Sequence, residues 1–286
     1  MASMRDIKRR KGSIQSTQQI TKAMKLVSTV KLQRARQNAE RSRNYFTGMY
    51  DTVTSILART AGMKHPYLDG GAAGKKAVIV ITSNRGLAGG YNSNVVKLIT
   101  RGDFKKDEVT IYAVGKKGRD ALSRAGYEIA ADMSEIAEEP VYPDAMRLSQ
   151  ELLSAFAKGE ISEIYLAYTK FKNTVSHVPT LLKLLPVEVP EETEEQTAAV
   201  SAPMNFEIED EEALNLLIPK YITSLIYGGL IESVASENGA RMQAMDSATG
   251  NAEEMISNLS LQYNRARQSS ITQELTEIIA GANAIT

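Results

Sequence analysis

Ser83-Asn84-Arg85-Gly86-Leu87-Ala88-Gly89-Gly90-Tyr91-Asn92 follows the apolar run AVIVIT at residues 77–82, where a phosphate loop sits in a nucleotide-binding α/β domain. Backbone amides cradle phosphate only at defined glycine spacings. This run is neither G-x-G-x-x-G nor G-x-x-x-x-G-K-[ST]. Gly115-Lys116-Lys117-Gly118, after a second apolar run, fails the same test. Both glycine clusters are therefore expected to be tight turns that need small residues. His65 precedes a proline and His177 lies beside a strand, with no ligand spacing between them. The chain has no cysteine, which excludes disulfides, thiolate metal sites and thiol nucleophiles. No nucleophile–base pairing emerges, and the many glutamates lie in solvated runs. We expect no catalytic residue, no cofactor and no metal, as in a mechanical or scaffolding part.

The remaining chemistry is electrostatic. Over 286 residues the 34 basic and 34 acidic side chains cancel, but they are segregated. Residues 1–43 hold twelve Lys or Arg against Asp6 and Glu40, a net of +10. Ten carboxylates and no Lys or Arg lie in residues 188–212. A basic arm asks for an acidic partner: nucleic acid, anionic lipid or acidic protein. Residues 1–43 contain no aromatic side chain, so a base-stacking platform is missing. No apolar run is as long as the roughly 18 residues of a membrane span. Lys22, Lys25 and Lys31 interrupt the N-terminal apolar stretches, so no secretory signal is expected.

The elements that would position these residues fall into three parts. Residues 3–60 contain no proline, and Ile7, Ile14, Thr21, Met24, Val27 and Val30 recur at helical spacing, resumed by Phe46, Met49, Val53, Ile56 and Leu57. At 1.5 Å per residue such a helix spans roughly 85 Å, too long to bury its stripe within its own globule. The middle alternates apolar runs (77–82, 109–114, 127–131, 163–169, 179–187) with helical patterns, as in a parallel α/β sheet with Rossmann-like winding. Residues 191–208 read as an acidic linker. The helical pattern then returns, and Ile271, Leu275, Ile278, Ala282 and Ile285 are spaced as a heptad seam. Met242, Met245, Met255 and Leu259 continue a similar face. The expected architecture is an antiparallel coiled coil of N-terminal (1–62) and C-terminal (209–286) helices, with a central α/β domain at 75–190.

Particular motifs resemble one family. Asp6-Ile7-Lys8-Arg9-Arg10, Ser13-Ile14-Gln15 and residues 17–27 (TQQITKAMKLV) are similar to the N-terminal signature of the γ subunit of F-type ATP synthases. Residues 84–92 (NRGLAGGYN) resemble that family's central loop, with alanine at 88 where cysteine is frequent. Arg241-Met242-Gln243-Ala244-Met245, Ala248-Thr249 and residues 263–278 (YNRARQSSITQELTEI) match again. The match runs through the whole chain in order. The N-terminal motif starts at Asp6, which leaves no room for a transit peptide, and the cysteine-bearing insertion of the chloroplast form is missing. The resemblance therefore implies a bacterial subunit.

The resemblance implies a rotor that couples proton flow through a membrane c-ring to conformational cycling of catalytic β subunits. The implied partners are three α and three β subunits, the ε subunit and the c-ring, with no nucleic acid. Membrane attachment would be peripheral, at the cytoplasmic face of the bacterial cell membrane and only through the complex. Ile7, Ile14, Ile271, Leu275, Ile278 and Ile285 are the implied seam and bearing. Arg9, Arg10, Met24 and Lys25, with Arg267, Gln268, Thr272, Gln273 and Glu274, are the implied β-subunit contacts. Phe206 and Glu207 would reach ε or the c-ring. The alternative reading is a basic coiled-coil scaffold or nucleic-acid-binding protein.

Overall fold

The computed structural model describes residues 4–59, 65–69, 74–187 and 210–285, with the side chains of 42–44, 58–59, 69, 210–211 and 284–285 set aside. Six α-helices and five strands are seen among them: α1 (Met4–Arg59), α2 (Pro66–Asp69), β1 (Lys75–Ile81), α3 (Tyr91–Thr100), β2 (Val109–Val114), α4 (Lys116–Arg124), β3 (Glu128–Asp132), α5 (Tyr142–Ala157), β4 (Ile161–Phe171), β5 (His177–Leu185) and α6 (Asp210–Ile285). Packing divides the chain into two compact units, one of Met1–Thr29 with Arg241–Thr286 and one of Val30–Ala240. The unit boundaries fall inside α1 and α6, not at their ends. About half of each long helix therefore belongs with the sheet, which differs from a division at residues 62 and 209.

In the unit of Val30–Ala240 the strand order is β3-β2-β1-β4-β5, parallel except for β5. β1 is a continuous apolar run because both of its faces are covered. Val78 and Val80 face a cluster with Val95 and Ile99 of α3 and Leu122 of α4. Ala77, Ile79 and Ile81 face the larger cluster, built with Leu148, Leu152 and Phe156 of α5. Ile218, Ile222, Ile226 and Leu230 of α6, four residues apart on one stripe, complete that cluster together with Val53, Ile56 and Leu57 of α1. An apolar stretch within Glu212–Asn283 reaches a mean hydropathy of 1.3, and half of it is buried inside the protein, as in a core helix.

Buried hydroxyls fix α6 on the sheet. β4 runs on past Ala167, which pairs with Val80 as its last contact with the β1 ladder. There the Thr169 N–H donates to Ser233 Oγ at 3.4 Å, and Ser236 Oγ donates to the Thr169 carbonyl at 3.0 Å. Ser149 of α5 and Thr223 of α6 share a hydrogen bond of 2.6 Å. The two bonds to Thr169 stand in for the β1 ladder partner that this part of β4 lacks, and the third ties α6 to α5.

In the other unit, residues 4–29 and 241–285 form an antiparallel helical pair. Ile7, Lys11, Ile14, Gln18, Thr21, Lys25 and Ser28 are the most enclosed positions on α1, at alternating spacings of four and three. Met245, Thr249, Ala252, Ile256, Leu259, Tyr263 and Ala266 match them on α6. This is heptad packing to which α1 contributes mostly polar residues and α6 mostly apolar ones. The expected stripe is corrected in phase: Val27 and Val30 are exposed, as are Ile20, Leu26 and Met255, while Ser28 is buried. A heptad drifts around a straight helix, so evenly spaced apolar residues do not remain on one seam.

Candidate functional site: the helical pair and the loop after β1

Register in the helical pair is set by three side-chain contacts. Gln18 Nε2 donates to Glu253 Oε1 at 3.0 Å, the Thr21 and Thr249 hydroxyls lie 2.8 Å apart, and Lys25 Nζ donates to Asp246 Oδ1 at 2.6 Å. Continuing that register places Met4, the first described residue of α1, opposite the neighbourhood of Arg267. Beyond it α6 continues for eighteen residues, to Ile285, about 27 Å, with no described part of α1 opposite. Every side chain from Ile271 to Asn283 is exposed.

That overhang corrects part of the expected seam. Ile7 is buried and Ile14 half-buried between the helices, whereas Ile271, Leu275 and Ile278 are 48%, 54% and 67% exposed. The latter three are spaced as a seam but meet no described part of α1, because the register runs out first. The Ile285 side chain, Phe206 and Glu207 lie outside what is described.

The expected contact residues gather at two levels on this pair. Arg9 and Arg10 are exposed, and Arg9 reaches Asp6 at 3.5 Å. Arg267, Gln268, Thr272, Gln273 and Glu274 are exposed on the overhang or at its base. Thr272 donates to the Gln268 carbonyl and Gln273 to Glu277, both within the helix. Met24 is half-buried, and Lys25 is engaged by Asp246.

The loop at residues 83–92 closes on itself. Asn92 Oδ1 accepts from the Ser83 N–H at 2.9 Å, Asn92 Nδ2 donates to Ser83 Oγ at 2.8 Å, and Asn84 Nδ2 donates to the Ser134 carbonyl at 2.8 Å. The first amides of α4, where an anion would bind, are taken by the end of β1. Lys116 N–H donates to Asn84 Oδ1 at 3.1 Å, Lys117 N–H to the Ser83 carbonyl at 3.1 Å and Gly118 N–H to Thr82 Oγ1 at 2.8 Å. Gly115 has φ +105°, and a Cβ there would sit 2.0 Å from the Thr82 carbonyl oxygen. The glycines thus allow a close approach of α4 to β1. Sequence reading missed Leu87, which stands 64% exposed at the loop tip with φ +63°. A bulky residue in the left-handed region costs about 1–3 kcal/mol. Only the flanking glycines hinted at so tight a turn.

Among the described residues no group of three or more His, Asp or Glu could hold a metal ion. His177 is partly enclosed, its Nε2 has no hydrogen-bond partner, and burial holds its pKa below the ordinary value. Asp132 accepts from Ser134 and Arg119, and these bonds hold its carboxyl below the usual range against the opposing effect of burial.

A family model described as ATP synthase matches residues 3–285. A γ chain of ATP synthase from Lachnoclostridium phytofermentans is 64% identical over 291 residues, covering 100% of both chains. The chain belongs to the ATP synthase γ-chain family. An ATP synthase γ chain from Acetobacterium woodii, named as sodium ion specific, is 41% identical and covers 99% of each chain. A chain in the central stalk and c-ring of the Tetrahymena thermophila mitochondrial ATP synthase superposes with a TM-score of 0.59 at 26% identity, over 80% of this chain and 99% of that one.

Proposed function

We propose that the chain is the central rotor shaft of an F-type ATP synthase, standing in a ring of three α and three β subunits, with ATP made in the β subunits. The observation that carries this reading is that the helical pair keeps large apolar residues on its outside. Ile20, Leu26 and Val27 of α1 and Leu261, Ile271, Leu275, Ile278 and Ile279 of α6 are exposed, while Thr21 and Ser28 are buried in the seam. A lone coiled coil would bury such residues, so the outward face suits a sleeve.

A single shaft has no threefold symmetry and presents a different side to each of three equivalent sites. Each site is then biased toward a different conformation, and turning the shaft exchanges them. On this reading Ile271, Leu275, Ile278 and Ile285 form the bearing at the tip. Arg9, Arg10, Met24, Arg267, Gln268, Thr272, Gln273 and Glu274 are β-subunit contacts. Lys25 would share its charge between Asp246 and β. Phe206 and Glu207 would reach ε or the c-ring. The complex would hold the chain peripherally at the cytoplasmic face of a bacterial membrane.

The experiment is reconstitution with α and β subunits, with a bead fixed to the sheet-bearing unit. Unidirectional bead rotation driven by ATP is expected, and an active hexamer whose bead stays still overturns the reading. Coupling to protons is proposed through the c-ring. Sodium coupling is the second reading, which the Acetobacterium woodii relative favours. Replacing sodium with choline in membrane vesicles separates them, because only a sodium-coupled complex stops synthesising ATP.

A further inference from the structure

On the unit of Val30–Ala240, Phe46 and Thr47 of α1, Phe171 of β4, and Gly228 and Glu232 of α6 line a cavity of about 340 Å³. Glu232 is its chemically unusual member. One of its carboxylate oxygens is buried without a hydrogen-bond partner. Burial pushes the Glu232 pKa up, while Lys170, at the exposed end of β4, and the Phe171 backbone N–H favour its charged form. Leaving such an acceptor unpaired is unfavourable, so a donor that reached it would bind with gain.

The rest of the wall favours a cation. Phe46 and Phe171 offer two aromatic rings, whose faces attract positive charge. Thr47 adds a hydroxyl. Gly228 keeps the floor open, since a Cβ there would meet only the Phe46 ring, at 4.0 Å. Arg36, at the rim, is held 4.0 Å from Glu40, which offsets its charge. Glu232 and the Arg36-paired Glu40 are the carboxylates among the described lining residues, too few oxygens for a hard metal ion. An anion would meet the buried carboxylate and two ring faces.

We infer that this cavity binds a small organic cation, a primary ammonium or guanidinium on a short alkyl body, with Glu232 as its anionic partner. The site lies within one unit and stands whether or not the chain turns as a rotor.

The test is hydrogen–deuterium exchange on the full chain titrated with agmatine to about 10 mM, a range that captures millimolar affinity. Saturable slowing of exchange in peptides covering residues 36–47 and 228–232 is expected. Glu232→Gln should raise the midpoint at least about tenfold, a change of 1.4 kcal/mol. Gly228→Leu, which fills the cavity and leaves the carboxylate in place, should abolish the protection at an unchanged melting temperature. 1-Pentanol, of similar shape and uncharged, should protect nothing. The proposal is overturned by no saturable protection in the parent chain, by an unchanged midpoint in Glu232→Gln, or by protection that survives in a folded Gly228→Leu. If Glu232→Gln fails to fold, the Gly228→Leu comparison decides.

Discussion

The hydroxyls of Thr21 on α1 and Thr249 on α6 meet at 2.8 Å in the middle of the helical pair, between the Gln18–Glu253 and Lys25–Asp246 contacts one turn to either side. Each also lies near a carbonyl of its own helix, Thr21 near that of Gln18 and Thr249 near that of Met245. One hydroxyl can therefore donate across the seam while the other donates along its helix. A buried polar pair of this kind is satisfied in one register alone. Thr21→Val or Thr249→Val should each destabilise the pair by about 1 kcal/mol, because each removes the bond across the seam and leaves the other hydroxyl only its own helix carbonyl. The double variant should lose less than the two together, since both groups are then replaced by apolar ones. Urea unfolding followed by the helical signal provides the cycle, and strict additivity would show that the pair does not act as a unit.

Two glycines should respond in opposite directions to alanine. At Gly115 the new Cβ would overlap the Thr82 carbonyl, in a backbone conformation that L residues rarely adopt. We expect Gly115→Ala to cost about 3 kcal/mol or more. Gly12 lies inside α1 with nothing within 4 Å of the built Cβ. Gly12→Ala should stabilise the helix by about 0.5–1 kcal/mol. Thermal melts of both variants against the parent check the pair of signs.

His177 predicts a pH dependence. Burial lowers its folded pKa below the ordinary 6.5, so the folded chain resists a proton that the unfolded chain accepts. Its contribution to stability is complete above that ordinary value and is lost as pH falls toward the depressed one. The parent should thus melt at progressively lower temperature on going from about pH 7.5 to about pH 5.5, which brackets the ordinary histidine value of about 6.5. His177→Phe, which keeps a ring beside Phe171, should flatten that slope. An equally steep slope in the variant would assign the effect to other groups.

The sheet was legible because its residues obey one demand. Val78, Ile79, Val80 and Ile81 are buried on both sides, and nothing but a covered strand tolerates such a run. The phase of the helical pair was legible at Ile7, Ile14 and Thr21 and lost at Val27 and Val30. Val27 and Ile278 carry the same helical periodicity as Ile7, and periodicity reports that a face is covered without saying by what. The polar residues that fix the register, Thr21 and Thr249, are weak signals in sequence because a threonine on a helix is usually solvated. Gly115 and Gly118 were read as a turn from their type. Their partner, Thr82, lies more than thirty residues away and became visible only with the packing of α4 on β1.

The tip of α6 distinguishes a bearing from a drive surface. Ile271, Leu275, Ile278 and Ile279 project from a single helix past the end of its pairing, with roughly half or more of each side chain exposed. If a surrounding ring covers them, each isoleucine or leucine contributes about 1.5–3 kcal/mol to assembly. Removing residues 278–286 deletes two of these four anchors and leaves the paired region around Thr21 and Thr249 intact. We expect the truncated chain to assemble more weakly with α and β subunits, and to rotate more slowly in the same direction, because the contacts near Met24 and Arg267 remain. A cut at residue 267 removes that second level and should reduce rotation far more. The measurements are ATPase rate, bead rotation and the concentration at which the complex falls apart. Loss of all rotation from the shorter cut, with assembly undiminished, would mean that torque passes through the tip itself, and the bearing assignment would fail.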